Sequence, residues 1–168
     1  MAASVQELAG ALPRDAFIRA FPGLFLVVTD AGDDEPPSSF ETVDASSVPR
    51  LSGIVQRTME VHPVVKGKAN PYADRISVGR APNCDVCLRY ASISKLHAYF
   101  RQLPGGGLEL VDVGSQVGTR AQGKPLVANK PVPVGAGAVI VLGRVATRLA
   151  DAGAVWNMFK TQERLSGT

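Results

Sequence analysis

At 168 residues with a formal charge of +3, the chain suits one domain with an extension and a core of ordinary extent. Its 17 glycines and 12 prolines favour a turn-rich β fold over a helical bundle. No apolar run approaches the ~18 residues of a membrane span, and Met1-Ala2-Ala3-Ser4 lacks the cationic lead and apolar stretch of a signal peptide, so a cytoplasmic protein with no membrane partner is expected.

Residues 1–23 read as a helical extension. Ser4, with Glu7 three residues on, forms a capping box. Leu8, Leu12 and Phe17-Ile18 supply an apolar side, Pro13 splits the segment, and Phe21-Pro22-Gly23 ends it. Leu24 to Thr29 is rich in β-formers and predicts a buried strand. Residues 30–50 are acidic and rich in Pro and Ser, which predicts a mobile insertion. Thr42, between Glu41 and Val43-Asp44, suggests a regulatory segment that folds over a basic surface and competes with ligand. Leu51 to Glu60 is compatible with helix or strand, and Met59 to Val65 reads as strand. Asn70-Pro71 is turn chemistry.

From Ile76 onward the pattern has period two. Ile76 and Val78 alternate with Ser77 and Gly79, and Val86 and Leu88 follow. Leu96, Ala98 and Phe100 alternate with Lys95, His97, Tyr99 and Arg101, which places His97 in a strand. Pro104 to Gly107 closes a hairpin into Leu108 to Val113, and Gln122-Gly123 is a further turn. Val132-Pro133-Val134-Gly135 leads to a strand over Val139 to Leu142, and Gly143-Arg144 opens a last strand to Leu149. Ala154 to Leu165 predicts an amphipathic helix docking through Val155, Trp156 and Phe159, within a C-terminal helix and tail at 151–168. An all-β, two-sheet antiparallel sandwich over 24–150, with short N- and C-terminal helices, is the expected fold.

Cys84 and Cys87 have half the ligands of a structural zinc site, and no second Cys pair exists. They are read as reduced structural thiols, with no metal and no cofactor expected. On a strand, their odd spacing would also point them to opposite faces. Charge is uneven. Residues 1–60 carry four Arg/Lys against nine Asp/Glu, and residues 61–168 carry fourteen against six. The basic second part suits an anionic partner.

Several short motifs fall in one order: Gly79-Arg80, then Ser94-x-x-His97, then Gly114-Ser115-x-x-Gly118-Thr119, then Val134-x-x-Gly137 before Ile140-x-Leu142-Gly143. Over about residues 60–150 this set resembles the forkhead-associated (FHA) domain. The resemblance implies a β-sandwich that binds phosphothreonine peptides with loops at one end and performs no catalysis. It implies as partner a phosphothreonine protein, either a substrate of a Ser/Thr kinase or the kinase itself.

The residue chemistry agrees. A phosphothreonine carries about −1.5 to −2 charges and three strong acceptor oxygens. Arg80 offers a permanently charged planar fork, Ser94 a hydroxyl and Lys95 a point charge. By resemblance, His97 holds the loops together, with Gly79, Gly114 and Gly118 as structural support. The family turn usually reads Gly-Ser-x-Asn-Gly-Thr, with the asparagine bonding the peptide backbone. Here Val117 stands at that position, and Gln116 is the substitute donor and acceptor. Ala138 replaces an acidic residue of the family, a change of scaffold only.

Three other functions compete with phosphothreonine binding. Val117 motivates a phosphate-independent scaffold of the same fold. Ser94 and His97 resemble a nucleophile and base, but no nucleophile elbow surrounds Ser94 and no carboxylate is marked as third member. Nucleic-acid binding has basic charge in its favour but no recognition motif.

Overall fold

The computed structural model describes residues 4–31, 60–68 and 70–166. The acidic insertion expected at 30–50 lies, past Ala31, outside the described residues, as do Thr42 and the ambiguous stretch from Leu51 to Met59. The chain begins with helices α1 (Val5–Ala11) and α2 (Arg14–Ala20). The Ser4–Glu7 capping box forms in both directions, with Ser4 N donating to Glu7 Oε2 at 2.7 Å and Glu7 N to Ser4 Oγ at 3.2 Å. Leu12-Pro13 separates the two helices because proline brings no N–H to continue the ladder.

Eleven strands follow among the described residues: β1 (Leu24–Asp30), β2 (Val61–Pro63), β3 (Ile76–Gly79), β4 (Val86–Cys87), β5 (Ala98–Gln102), β6 (Leu108–Asp112), β7 (Thr119–Ala121), β8 (Lys124–Pro125), β9 (Val132–Val134), β10 (Val139–Leu142) and β11 (Val145–Asp151). Helix α3 (Ala152–Ser166) closes the described chain. The strands form a six-stranded sheet, β2-β1-β11-β10-β7-β8, and a five-stranded sheet, β4-β3-β5-β6-β9. Every pairing is antiparallel except the short β3–β4 contact. The two sheets enclose the main core, which includes Leu26, Val78, Phe100, Leu110, Ile140 and Leu149.

The apolar run of β1 has a clear cause. Leu26 faces the sandwich core, while Phe25 and Val27 face a second core built with Phe17, Val155 and Phe159 of the helices. A strand covered on both faces needs no polar alternation. Phe21 bridges Phe17 and Phe25, with ring centroids 4.9 and 5.4 Å away. On α3, Val155 and Phe159 are buried as expected, and Trp156 Nε1 donates to Leu12 O at 3.1 Å, covering a carbonyl at the end of α1. No helix among the described residues is long and apolar enough to cross a membrane.

The structure corrects three details. His97 is in the loop before β5, not in the strand: His97 and Ala98 are both buried while Leu96 is 48% exposed, so period two begins only at Ala98. Cys84 precedes β4, so strand alternation does not govern it; both cysteines are free thiols. Val132–Val134 is itself strand β9, at the edge of the smaller sheet, where Pro133 is tolerated.

Candidate functional site

One end of the sandwich gathers the loops that the sequence singled out. There β3 ends at Gly79, β5 begins at Ala98, β6 ends at Asp112, β7 begins at Thr119, and β10 turns into β11 through Gly143-Arg144. Backbone bonds lace these loops together. Arg80 N donates to Ser94 O at 3.0 Å, Ala81 N to Lys95 O at 3.1 Å, and Gly143 N to Gly118 O at 2.9 Å. Gly79 is required by this close approach: a Cβ there would stand 2.2 Å from Lys95 O and 3.0 Å from Cys84 Sγ.

His97 is the inner strut. It is fully buried, its Nδ1 accepts from Ser94 N at 3.1 Å, and its Nε2 lies 3.0 Å from Gly118 O. Those partners fix the neutral tautomer with the proton on Nε2, because Nδ1 faces a donor and Nε2 a carbonyl. Burial pushes its pKa below the usual 6.5, against smaller opposing effects from the Gly118 carbonyl and the Asp112 charge. Both ring nitrogens are therefore spent on backbone groups. Neither faces the Ser94 hydroxyl, so the Ser94–His97 pair has no nucleophile–base geometry.

Asp112 organises the third loop, a role the sequence reading missed. Its Oδ1 accepts from Gly114 N at 2.7 Å and Ser115 N at 2.9 Å, while its Oδ2 accepts from Ser115 Oγ and Thr119 Oγ1, both at 2.5 Å. Burial raises its pKa, but the four hydrogen bonds outweigh that and hold it below the usual carboxylate value. The turn also relies on Gly114 and Gly118, at φ 88° and 106°, where side chains are disfavoured. An aspartate two residues before Gly-Ser is Asx-turn chemistry, and that was the available signal.

On this frame the remaining predicted residues point outward. Arg80 is exposed and tethered through Nε to Ile93 O at 3.1 Å, so its terminal nitrogens have no partner among the described residues. The Ser94 hydroxyl oxygen accepts from Gln116 N at 3.1 Å, which leaves its proton free to donate outward. Lys95 and Gln116 are exposed, and Val117 is 49% exposed. Arg144, which the sequence reading passed over, joins the same end: its N donates to Ser92 Oγ at 2.9 Å and its side chain is exposed. A cavity of about 520 Å³ lies elsewhere, at the opposite end between Leu24, Ile76 and Gln102.

Fold and loop arrangement define an FHA-domain-like β-sandwich. Residues 76–143 match the model of the FHA domain family. The FHA domain solved in a structural and functional analysis of phosphothreonine-dependent FHA domain interactions is 16% identical, with a TM-score of 0.50 over 76% of this chain and 94% of that one. The FhaA FHA domain complexed with the intracellular domain of Rv3910 is also 16% identical, at TM-score 0.49 over 76% of this chain and 99% of that one. The N-terminal FHA domain of S. cerevisiae Rad53p, in complex with a phosphothreonine peptide, is 17% identical, at TM-score 0.48 over 62% and 94%. The search of curated proteins gave no match. FHA domains are non-catalytic interaction modules.

Proposed function

We propose that this domain binds phosphothreonine peptides through Arg80, Ser94 and Lys95, with Gln116 and Val117 contacting the peptide beside the phosphate. The observation that carries the reading is the preparation of Ser94. His97 pins its backbone, Gln116 N occupies its hydroxyl oxygen, and its proton stays available on a loop end that also carries exposed Lys95 and Arg80, the latter tethered through Nε with its terminal nitrogens unpartnered among the described residues. Such an arrangement favours a small dianion, because charge-assisted hydrogen bonds have roughly twice the strength of neutral ones. The FHA-domain-like fold supports the same reading, since the relative at TM-score 0.50 concerns phosphothreonine-dependent interactions. The partner is a phosphothreonine protein, either a substrate of a Ser/Thr kinase or the kinase itself.

A second reading draws on Val117. A half-exposed valine at the rim cannot bond a peptide backbone through its side chain, and it suits an apolar contact with an unmodified partner. A degenerate phosphothreonine-peptide library, run beside threonine and phosphoserine versions, separates the two. Retention that requires phosphate on threonine is expected, and equal retention of unphosphorylated peptides selects the scaffold reading.

A further inference from the structure

A cleft of about 310 Å³ opens beside Lys95 on the outer face of β3 and β5. Its floor is the cross-strand pair Ser77 and Tyr99, which face away from the core. One wall is the connection between β2 and β3, folded back over the sheet. Asp85 holds that wall by accepting from Gly67 N at 2.7 Å, Asn70 Nδ2 at 2.7 Å and Ser77 N at 2.8 Å. Burial alone would raise the Asp85 pKa, but these bonds keep the carboxylate below its usual value, so the wall is held by a charged anchor.

Two features give the cleft a chemical preference. Tyr72 and Leu96, 56% and 48% exposed, present an apolar surface at its edges. Arg75 stands between two rings, its guanidinium carbon 4.9 Å from the Tyr72 centroid and 4.6 Å from the Tyr99 centroid. Its Nε is buried without a hydrogen-bond partner among the described residues, and Asp74 Oδ1 stands off at 3.7 Å. Arg75 and Lys95 line the cleft, and among the described residues no carboxylate does. Lys95 belongs both to the cleft and to the proposed phosphate loop, so the two surfaces are continuous.

Resting on the reading of the phosphate loops given above, we infer that this cleft is a second contact for the same phosphorylated partner. It takes a flanking stretch of the partner that carries an apolar side chain, seated against Leu96 and Tyr72, and a carboxylate, drawn to Arg75 and Lys95. The cleft sets which phosphothreonine sequences are preferred, and the loops supply the requirement for phosphate. Stacking between two rings holds the arginine in place before binding, so little side-chain freedom is lost when a carboxylate arrives.

The experiment uses phosphothreonine peptides degenerate on both flanks, selected by the wild-type protein and by Tyr72→Ala and Leu96→Ser, each first shown to melt as wild type. The wild type is expected to enrich an acidic and an apolar residue on one flank. Fluorescence anisotropy then compares the selected peptide with one whose flank is replaced by alanine. Each variant should lose about ten-fold in affinity for the selected peptide, equivalent to about 1.4 kcal/mol, and bind the alanine-flanked peptide as wild type does. Absence of flank enrichment overturns the inference. So does wild-type affinity of both variants for the selected peptide, or an equal loss for both peptides, which would make Leu96 and Tyr72 supports of the loops. Failure of the underlying reading has a different signature, retention of peptides without phosphate.

Discussion

Removing the Asp112 carboxylate tests the construction of the loop cluster most directly. Asp112→Ala strips the partner from two backbone N–H groups and two hydroxyls at once. Hydrogen bonds to a charged group are worth roughly 1.5–3 kcal/mol each, but the sum overstates the effect. The two hydroxyls rotate to other acceptors, and the N–H groups of exposed Gly114 and half-buried Ser115 gain access to water. A loss of about 3 kcal/mol is the working figure, within the range of a broken buried network. For a chain of this size that corresponds to a fall in Tm of roughly 6–12 °C. Asp112→Asn should cost less, because the amide oxygen still faces the two N–H groups and the hydroxyls turn to accept from its nitrogen. Both variants should also weaken phosphothreonine-peptide binding, since the displaced turn carries the Gln116 N–H that sets Ser94. Differential scanning calorimetry measures the first effect and fluorescence anisotropy the second. Asp112→Ala melting within a degree of wild type would refute the claim that this carboxylate organises the turn.

Arg80→Ala should weaken phosphothreonine-peptide binding about ten- to a hundred-fold in calorimetry, from the loss of charge-assisted bonds worth roughly 1.5–3 kcal/mol; equal affinity would remove Arg80 from the phosphate site. Burial depresses the His97 pKa, so the stability tied to its neutral form is present above the ordinary value of 6.5 and lost as pH falls from there through the lower folded value. Chemical denaturation of His97→Ala across that window should show both lower stability and a flatter pH dependence than wild type, and an unchanged slope would contradict the strut role. The depressed values of Asp85 and Asp112 place a second loss of stability below about pH 3.8, again as pH falls. Val117→Asn should tighten phosphopeptide binding several-fold, for about 1 kcal/mol from one regained hydrogen bond; no gain would favour an apolar contact at that position.

The strands with one face in the core were legible because burial imposes period two on them, as at Ile76, Val78, Ala98 and Phe100. The same rule misled at Leu96-His97, where the alternation continues in sequence but not in space. A buried histidine that bonds two backbone groups looks, in a string of letters, like the polar member of a strand pair. Val132–Val134 was hidden by Pro133, which reads as a turn and is acceptable only on an edge strand. Gly79, Arg80, Ser94 and His97 were legible as an ordered set. Asp112 and Arg144 were not, because their roles depend on which loops meet at the end of the sandwich. The cleft was out of reach for the same reason: Tyr72, Arg75 and Tyr99 lie on two segments brought together by β3–β5 pairing, and no local pattern marks them.

The pairing of β1 with β11 also sets an order of events during synthesis. Leu24 and Asp151 are partners although more than a hundred residues of chain separate them. At about 5–20 residues per second, β1 leaves the ribosome roughly 6–25 s before its main neighbour is made. The β5–β6 hairpin needs no such delay, since hairpins close in about 1–10 μs. The smaller sheet can therefore take shape while the apolar Leu24 to Val28 segment waits, exposed to chaperones and to other unfinished chains. The loop cluster is held across both sheets, by His97 before β5 and Gly118 before β7, and β7, paired on one side with the edge strand β8, joins the rest of its sheet through β10, which in turn pairs with β11. A nascent chain thus displays Arg80 and Ser94 well before it can hold them in place, and the loop cluster is complete only once the last strand has formed.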